Sequence, residues 1–278
     1  MKITMLGTGS PIPSPDRAGP ATLVQAGGLN LLIDCGRGVS MRLAAVGLPS
    51  PMFLHHVLLT HLHSDHVTDF NDLVTMRWAM SFVPSPLPVV GPPGTQRFVD
   101  RTLEMLSDDI GYRLGHHDDL SWDPACSVRE LRDGQLQDDQ LAEAGVAVIV
   151  APTDHRPVAP TVGYRIEHDG HSVVLAGDTV PCEGLDRLVL GADVYVQTVV
   201  RPDQITPLGV QRLTDVCDYH SSVEQAAQTA TTAGVSTLVL THMVPAPAPG
   251  AEHEWADLAR EHFDGEILVA ADLDSVDL

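Results

Sequence analysis

One octapeptide constrains the fold of this chain more than any other feature. The segment 59-LTHLHSDH-66 places three histidines and an aspartate within six residues, directly after an apolar stretch of strand length. Histidine is the commonest metal ligand. In a loop that leaves a strand, His61 and His63 can face one ion while Asp65 and His66 face a neighbouring ion, and imidazole with carboxylate suits zinc. The segment therefore predicts a metal site, and the alternative is a solvated polar loop.

A single short loop cannot complete two coordination shells, so further ligands must come from elsewhere in the chain. Three other apolar stretches each end in a suitable side chain, namely His155, Asp178 and His242. Rigid sheets commonly hold functional residues at strand ends. Taken singly, each of the three is equally well explained as a surface or loop-capping residue. Together with the first loop, they predict a fold in which several strand ends converge on one metal centre.

Strand-like and helix-like patterns alternate along the chain, which predicts a mixed α/β fold. Apolar stretches of strand length, with turn residues between them, lie at 2–7, 21–26, 29–35, 56–60, 87–91, 145–151, 161–167, 172–177, 193–199, 236–240 and 266–270. Helical periodicity is present at 38–47, 68–81, 94–107, 221–234 and 252–263. In the fourth of these helices, a serine at 221 or 222 can cap the start and Gly234 can end it.

The chain shows no composition break that would separate two domains. Segments rich in proline and glycine, at 10–20, 84–94 and 245–250, are too short to be flexible interdomain linkers. We therefore expect one domain over residues 1–278. The similar segments 57-VLLTH-61 and 238-LVLTH-242 hint at two related halves, although chance can produce such a match in strand-rich sequence.

Charge argues against nucleic acid at long range. The chain carries 37 acidic and 16 basic residues, for a formal net charge of −21, and its one lysine is Lys2. Nucleic-acid binders gain affinity by neutralising phosphates with a basic face. Such a face can be built here only locally, and the few aromatic residues leave little for base stacking.

The remaining composition bears on location and redox state. No apolar stretch approaches the roughly 20 residues that span a bilayer, and the first residues lack the pattern of a signal peptide. We therefore expect a cytoplasmic protein with no membrane partner. The four cysteines lie far apart without a C-x-x-C pair, so we expect buried free thiols.

With these residues in view, the chain resembles the metallo-β-lactamase fold hydrolases, and within them the ribonuclease Z group of tRNA 3′-processing endoribonucleases. Beyond the histidine motif, the resemblance covers 6-LGTGSPIP-13, Arg17, 32-LIDCGRG-38, 90-VGPPG-94, 177-GDT-179, 219-YHSS-222 and 239-VLTHMVP-245. The histidine motif alone marks the superfamily, whereas the opening Gly-Thr-Gly-Ser and the Tyr-His-Ser segment indicate this branch. The resemblance implies a four-layer αβ/βα sandwich.

The resemblance also implies a role for each site residue. One zinc would be held by His61, His63 and His155, the second by Asp65, His66 and His242, with Asp178 bridging them. Asp65 matches the proton acceptor of the family. Two zinc ions about 3.5–4 Å apart make hydroxide available near neutral pH and clamp the attacked phosphate. We expect zinc, two per chain, with Mn²⁺ as the alternative.

His220 matches the family's histidine that stabilises or protonates the leaving group. Chemistry supports this role independently, because an in-line displacement needs a group to meet the departing alkoxide and imidazole titrates in the right range. The alternative for His220 is a residue at a helix start, beside a capping serine.

The expected function is a dinuclear zinc phosphodiesterase of ribonuclease Z type that uses a hydroxide bridging the metals. Alternatives are a hydrolase of small esters, aryl sulfates or lactones on the same site, and a metal-binding protein without turnover. Only 23 residues separate His155 from Asp178, where tRNA-processing members insert a long arm that grips tRNA. We therefore expect RNA to be a disfavoured substrate. The resemblance also implies a homodimer.

Other histidines have simpler explanations. His116 and His117 lie in 115-GHHDD-119, but adjacent histidines in a polar turn project in different directions, so we expect a solvated loop. His55 and His56 precede a buried strand and are expected to be packed or exposed. The remaining histidines outside the site are expected at the surface: His168, His171, His253 and His262.

Overall fold

A computed structural model describes all 278 residues and places fourteen strands in two seven-stranded sheets. The strands are β1 Lys2–Gly7, β2 Ala21–Ala26, β3 Leu29–Ile33, β4 His56–Leu58, β5 Leu87–Gly91, β6 Cys126–Glu130, β7 Gly134–Gln135, β8 Val146–Pro152, β9 Val162–His168, β10 His171–Leu175, β11 Val194–Val200, β12 Thr237–Val244, β13 Glu266–Val269 and β14 Ser275–Asp277. Eleven of them match the predicted apolar stretches. The other three, β6, β7 and β14, are short and largely exposed edge strands, so no apolar pattern marks them.

The two sheets share one topology. Sheet 1 has the order β14-β1-β2-β3-β4-β5-β6, and sheet 2 has the order β13-β12-β11-β10-β9-β8-β7. In sheet 1 the pairs from β14 to β3 are antiparallel and those from β3 to β6 are parallel. In sheet 2 the pairs from β7 to β10 are antiparallel and those from β10 to β13 are parallel. The carboxyl ends of the parallel strands bring their loops to one edge of each sheet.

The fold contains eleven α-helices. They are α1 Val39–Ala45, α2 Ser64–Val67, α3 Phe70–Ala79, α4 Thr95–Met105, α5 Ser107–His116, α6 Asp139–Glu143, α7 Glu183–Val189, α8 Pro202–Ile205, α9 Gln211–Thr214, α10 Val223–Ala233 and α11 Glu252–Arg260, with 3₁₀ turns at Pro51–Phe53, Thr206–Leu208 and Asp215–Asp218. The five predicted helices are present. None of the helices combines the length and apolar character needed to cross a bilayer.

Three apolar clusters define the layers. A cluster of 23 buried residues lies between the sheets and includes Met5 from sheet 1 and Tyr164 from sheet 2. A second joins the outer face of sheet 2 to α7, α10 and α11, with Trp255 fully buried. A third joins the outer face of sheet 1 to α1, α3 and α4 around Phe70. Burial of each large apolar side chain contributes about 1.5–3 kcal/mol. The order helix, sheet, sheet, helix confirms the four-layer αβ/βα sandwich.

Helix α10 begins and ends where its sequence predicts. Ser222 is the N-cap and forms a reciprocal capping box with Gln225, while Gly234 ends the helix in the left-handed conformation. Ala226 and Ala230 face the second sheet, where small side chains permit close approach. Because the cap lies two residues after His220, the start of α10 also fixes that histidine.

The cysteines agree only partly with expectation. All four are free, but only Cys35 is buried, and Cys126, Cys182 and Cys217 are half-buried. Burial raises the pKa of the Cys126 thiol to about 12 and that of Cys35 well above its usual range. Both groups are therefore neutral thiols near neutral pH.

Candidate metal centre

The histidine motif lies where β4 ends. After Leu58 the chain passes through a short loop carrying His61 and His63 and enters α2, which carries Asp65 and His66. Two hydrogen bonds tie this loop to the other sheet. The Tyr164 hydroxyl donates to the Leu59 carbonyl at 2.6 Å, and the Val162 N–H donates to the Thr60 carbonyl at 3.0 Å. The interface between the sheets therefore fixes the base of the loop.

The second sheet supplies the other predicted residues. His155 follows β8, Asp178 follows β10, and His242 lies near the end of β12. His220 lies immediately before α10 and reaches the same place. All of these side chains are buried, as are His61, Asp65 and His66 of the motif loop, whereas His63 is half-buried. His63 is therefore the predicted ligand most open to solvent.

Ligand atoms of these residues converge around Asp178. Its Oδ2 lies 3.3 Å from His66 Nε2 and 3.8 Å from each of His61, His155 and His242 Nε2. Three groups have ligand atoms within 4.8 Å of one another: His61, His63, His155 and Asp178; Asp65, His66 and His242; and Asp178, His220 and His242. Every residue that the sequence predicted for the site is thus brought together.

Buried atoms without a hydrogen-bond partner show that these residues fit a cation. They are His61 Nε2, His66 Nε2 and Asp178 Oδ1, each shielded from solvent. Leaving a buried polar atom unpaired costs about 1–3 kcal/mol, so three such atoms in one cluster need an explanation. Imidazole nitrogens and carboxylate oxygens form a donor set that a divalent transition metal satisfies.

The tautomers of the histidines agree with this fit. His155 Nδ1 donates to the Tyr219 carbonyl at 2.8 Å, and His220 Nδ1 donates to the Val216 carbonyl at 2.9 Å. A carbonyl can only accept, so in both rings Nδ1 carries the proton and Nε2 presents a lone pair to the cluster when the ring is neutral. Such outer hydrogen bonds orient metal-binding histidines.

Asp34 is a functional residue that sequence reasoning missed. Its carboxylate accepts from the Thr60 N–H at 2.8 Å, the Thr60 hydroxyl at 2.7 Å and His66 Nδ1 at 2.8 Å. The Thr60 oxygen in turn lies 3.1 Å from His61 Nδ1. Asp34 adopts φ 58°, a left-handed conformation that aspartate tolerates better than most residues. Its position directly after β3 was the signal, since His155 and Asp178 also follow strands.

Asp178 is positioned by the backbone before it. Gly177 has φ 66°, and a Cβ there would lie 2.8 Å from the Thr60 Cβ, so only glycine allows the two halves to meet. The Gly177 carbonyl accepts from the Thr198 hydroxyl at 2.9 Å. Asp178 therefore sits on a turn that is held from both sheets.

The electrostatics of the cluster favour an ionised Asp178. Burial alone raises the pKa of its carboxyl, but the imidazoles of His242, His66 and His220 outweigh it and hold the pKa well below its usual range. For His61, burial and the neighbouring His66 lower the pKa well below its usual range. An anionic carboxylate beside a neutral imidazole is the combination that binds a cation.

The histidines outside the cluster contribute nothing to it. His116 and His117 are exposed, although His116 ends α5 instead of lying in a loop. His56 is buried at the start of β4 beside Asp138, and His55 accepts from the Asn30 N–H. His171 and His253 are exposed, whereas His168 and His262 are half-exposed.

Comparisons with known proteins agree with this geometry. Residues 29–243 match the profile of the beta-lactamase superfamily domain. Ribonuclease Z of Mycobacterium avium is 56% identical over 99% of this chain and 98% of its own length, and that of Mycobacterium tuberculosis is 54% identical over 100% and 98%. Among solved structures, the metallo-beta-lactamase fold protein YhfI from Bacillus subtilis has a TM-score of 0.74 at 22% identity, covering 99% of both chains. The short form of human tRNase Z has a TM-score of 0.72 at 24% identity, covering 100% of this chain and 99% of its own.

These matches do not support the expectation that RNA is a disfavoured substrate. The relatives named ribonuclease Z align from end to end with this chain, so they have no more room than it has for an additional arm. A short interval between His155 and Asp178 is therefore compatible with that name. By profile, by identity and by fold, the chain belongs to the beta-lactamase superfamily and, within it, to the ribonuclease Z family.

Proposed function

We propose that this protein is a two-metal phosphodiesterase that cleaves an RNA phosphodiester, with precursor tRNA as the substrate class. The observation that carries the proposal is the convergence of unpaired ligand atoms around Asp178, within reach of His220. The family supplies the reaction class, and the site supplies the residues.

The donor set supports zinc as the native metal. We assign His61, His63 and His155 to one ion, Asp65, His66 and His242 to a second, and Asp178 to both, in agreement with the grouping of their ligand atoms. When bound, the ions supply Lewis acidity, which makes hydroxide available near neutral pH and offsets charge on the attacked phosphate.

Asp65 and His220 perform the proton transfers in this proposal. Burial raises the pKa of Asp65, but its hydrogen bond with His242 and the charge of His66 together outweigh burial. The pKa is therefore below its usual value, and the ionised carboxylate is able to accept a proton. His220 lies against Asp178, with Nε2 at 3.2 Å from Oδ2 and Nδ1 bound to the Val216 carbonyl. Burial lowers the pKa of His220, but the carboxylate of Asp178 outweighs it and raises the pKa. When the ring is protonated, its Nε2–H is the donor that can protonate the departing alkoxide, which leaves the ring neutral.

The remaining assignments concern the whole chain. We place the activity in one hydrolase domain, residues 1–278, because the central apolar cluster draws on both sheets and both sheets supply ligands. A cytoplasmic location agrees with an RNA substrate and with the free cysteines.

A homodimer is supported by exposed apolar side chains beyond α3 and on α5. Phe82 is 93% exposed and Tyr112 is 74% exposed, and Met80 and Phe82 line a shared depression with Arg113. Exposed aromatic and methionine side chains are enriched at interfaces. Light scattering of the wild type and of Phe82→Asp tests this assignment: we expect a dimer that the substitution weakens, and a wild-type monomer would exclude it.

The test of the function combines elemental analysis with three substrates. Protein purified without chelator is expected to contain about two transition-metal ions per chain and to cleave both bis(p-nitrophenyl) phosphate and precursor tRNA. An aryl sulfate should be a poor substrate. Turnover of the sulfate or a lactone without cleavage of RNA would replace the proposal with a small-ester hydrolase, and absence of metal would exclude the site.

A further inference from the structure

Half of the 16 basic side chains of this chain are already held within the fold. Seven arginines form ion pairs with carboxylates within 4.0 Å: Arg42, Arg113, Arg129, Arg156, Arg165, Arg187 and Arg201. Another, Arg77, is buried and donates to backbone carbonyls. In a chain of net charge −21, an exposed arginine that has no carboxylate partner and follows a contact with the ligand loop is a candidate for binding a phosphate.

Arg37 is such a residue, and its main chain lies against the ligand loop. The preceding Gly36 packs so closely that a Cβ there would lie 2.5 Å from the Asp65 carbonyl oxygen. One residue earlier, the Cys35 N–H donates to the His66 carbonyl at 2.8 Å. The residue before Arg37 therefore packs against the segment that carries Asp65 and His66, two of the proposed ligands.

The guanidinium of Arg37 is free to bind an anion. Its side chain is exposed and has no carboxylate within 4.0 Å, and its one hydrogen bond is from Nη2 to the Pro11 carbonyl at 3.4 Å. Arginine binds phosphate through its planar set of N–H donors, and those of Nε and Nη1 have no partner in the protein. Arg37 can therefore engage a phosphate without first breaking an ion pair.

The loop beneath Arg37 is rigidly held. Asp272 accepts from the N–H groups of Thr8 and Ala18, at 2.9 and 2.7 Å, and from the Nε of Arg42 at 2.9 Å. These bonds close the segment between Thr8 and Ala18 at its base, and the segment includes Pro11. Arg42 is paired with a carboxylate by this contact, whereas Arg37 is not.

We propose that Arg37 binds a backbone phosphate of the RNA substrate next to the metal centre, and thereby favours a polynucleotide over a small phosphodiester. The inference rests on the proposed function. Screening at physiological ionic strength reaches only about 8 Å, so a local guanidinium acts on a phosphate at contact distance although the chain as a whole is acidic. A small diester carries one phosphate, which the metal centre would hold, so it offers no second phosphate to Arg37.

The test compares Arg37→Gln with Lys2→Gln, which makes the same change of net charge. Lys2 is exposed and has no carboxylate partner. It is the first residue of β1, whereas the last residue, Gly7, is the one near the metal centre, so Lys2 lies at the far end of the strand. We expect Arg37→Gln to lower kcat/KM for precursor tRNA by about 10-fold or more, mainly through KM, the scale of a lost charge-assisted hydrogen bond. Bis(p-nitrophenyl) phosphate turnover should change by less than about 2-fold.

Salt dependence supplies a second readout. A lost phosphate contact should reduce the slope of log kcat/KM against log salt by about one for Arg37→Gln, and Lys2→Gln should leave it unchanged. Arg37→Lys should recover part of the RNA activity. Equal loss on both substrates, or no loss on RNA, would overturn the role of Arg37 while the function stands. A wild type that cleaves neither substrate would instead overturn the proposed function.

Discussion

Two strand ends carry Thr-His into the metal centre, Thr60-His61 after β4 and Thr241-His242 in β12, yet they occupy different places in the two sheets. Both sheets pass from antiparallel to parallel pairing in the same order. Strand β4 is the first parallel strand of sheet 1, whereas β12 is the second of sheet 2, beyond β11. The two halves are therefore alike in topology, but the matching Thr-His segments are not equivalent positions in them.

The two ends are also held differently. The Thr60 hydroxyl donates to Asp34 and lies against His61 Nδ1, so side-chain hydrogen bonds orient that histidine. The Thr241 hydroxyl and His242 Nδ1 are buried without partners, and His242 adopts φ 48°. Backbone pairing of β12 with β11 and β13 holds this second end. Similar sequence at two strand ends thus does not imply similar support.

Removing Asp178 should have the largest effect, because this carboxylate contacts ligands from both strand ends. We expect Asp178→Ala to lose most of its metal and to lower turnover by at least about 10³-fold, since residues that act as a unit are lost together. His63→Ala removes one ligand from the first loop alone and should retain more metal. Elemental analysis and turnover of bis(p-nitrophenyl) phosphate measure both effects, with the exposed Asp186→Ala as control. Wild-type metal content in Asp178→Ala would contradict the bridging assignment.

Substitution of His220 tests whether catalysis can be separated from metal binding. Its Nδ1 is anchored to the Val216 carbonyl and its Nε2 faces Asp178, so His220→Ala should lower turnover by about 10²-fold. Metal content should stay close to that of the wild type, because the other ligands of both strand ends remain. If metal is lost along with activity, His220 belongs to the coordination shell, as its grouping with Asp178 and His242 also allows.

Most strands, and the residues that converge around Asp178, could be predicted from sequence because each signal is local. An apolar stretch and the polar residue that ends it, such as Asp178, lie side by side in the chain. The hydrogen bonds that hold these residues in place could not be predicted, because they join residues that are distant in sequence. Asp34 meets His66, 32 residues away, and the Tyr164 hydroxyl meets the Leu59 carbonyl, 105 residues away. Short polar elements such as β6 and α2 were missed because no periodicity marks them.

Paired substitutions at the two threonines test the difference in support. Thr60→Val removes the hydroxyl between Asp34 and His61, so we expect a 10- to 100-fold weaker metal affinity, the usual cost of losing an outer hydrogen bond. Thr241→Val removes a hydroxyl that has no partner and should leave metal affinity within about 2-fold of the wild type. Competition with a chromophoric chelator measures both, and Thr60→Ser should restore most of the affinity. Equal effects at the two positions would show that the ends are held alike.

The smallest expected effect concerns the first residues of the two strands. Strand β4 begins with the buried His56, which can titrate, whereas β12 begins with Thr237, which cannot. Burial lowers the pKa of His56, and the nearby charges of His55 and Arg129 lower it as well. The carboxylate of Asp138, at 3.3 Å, opposes them but does not outweigh them, so the pKa lies below its usual value. The unfolded state, with a histidine pKa near 6.5, therefore binds more protons, and folding stability is lost as pH falls below about 6.5. His56→Gln keeps a donor for Asp138 but does not titrate. Thermal unfolding of the metal-loaded proteins at pH 7.5 and 5.5 should show the wild type losing about 1–3 °C more than the variant, and parallel pH profiles would exclude His56 as a source of acid sensitivity.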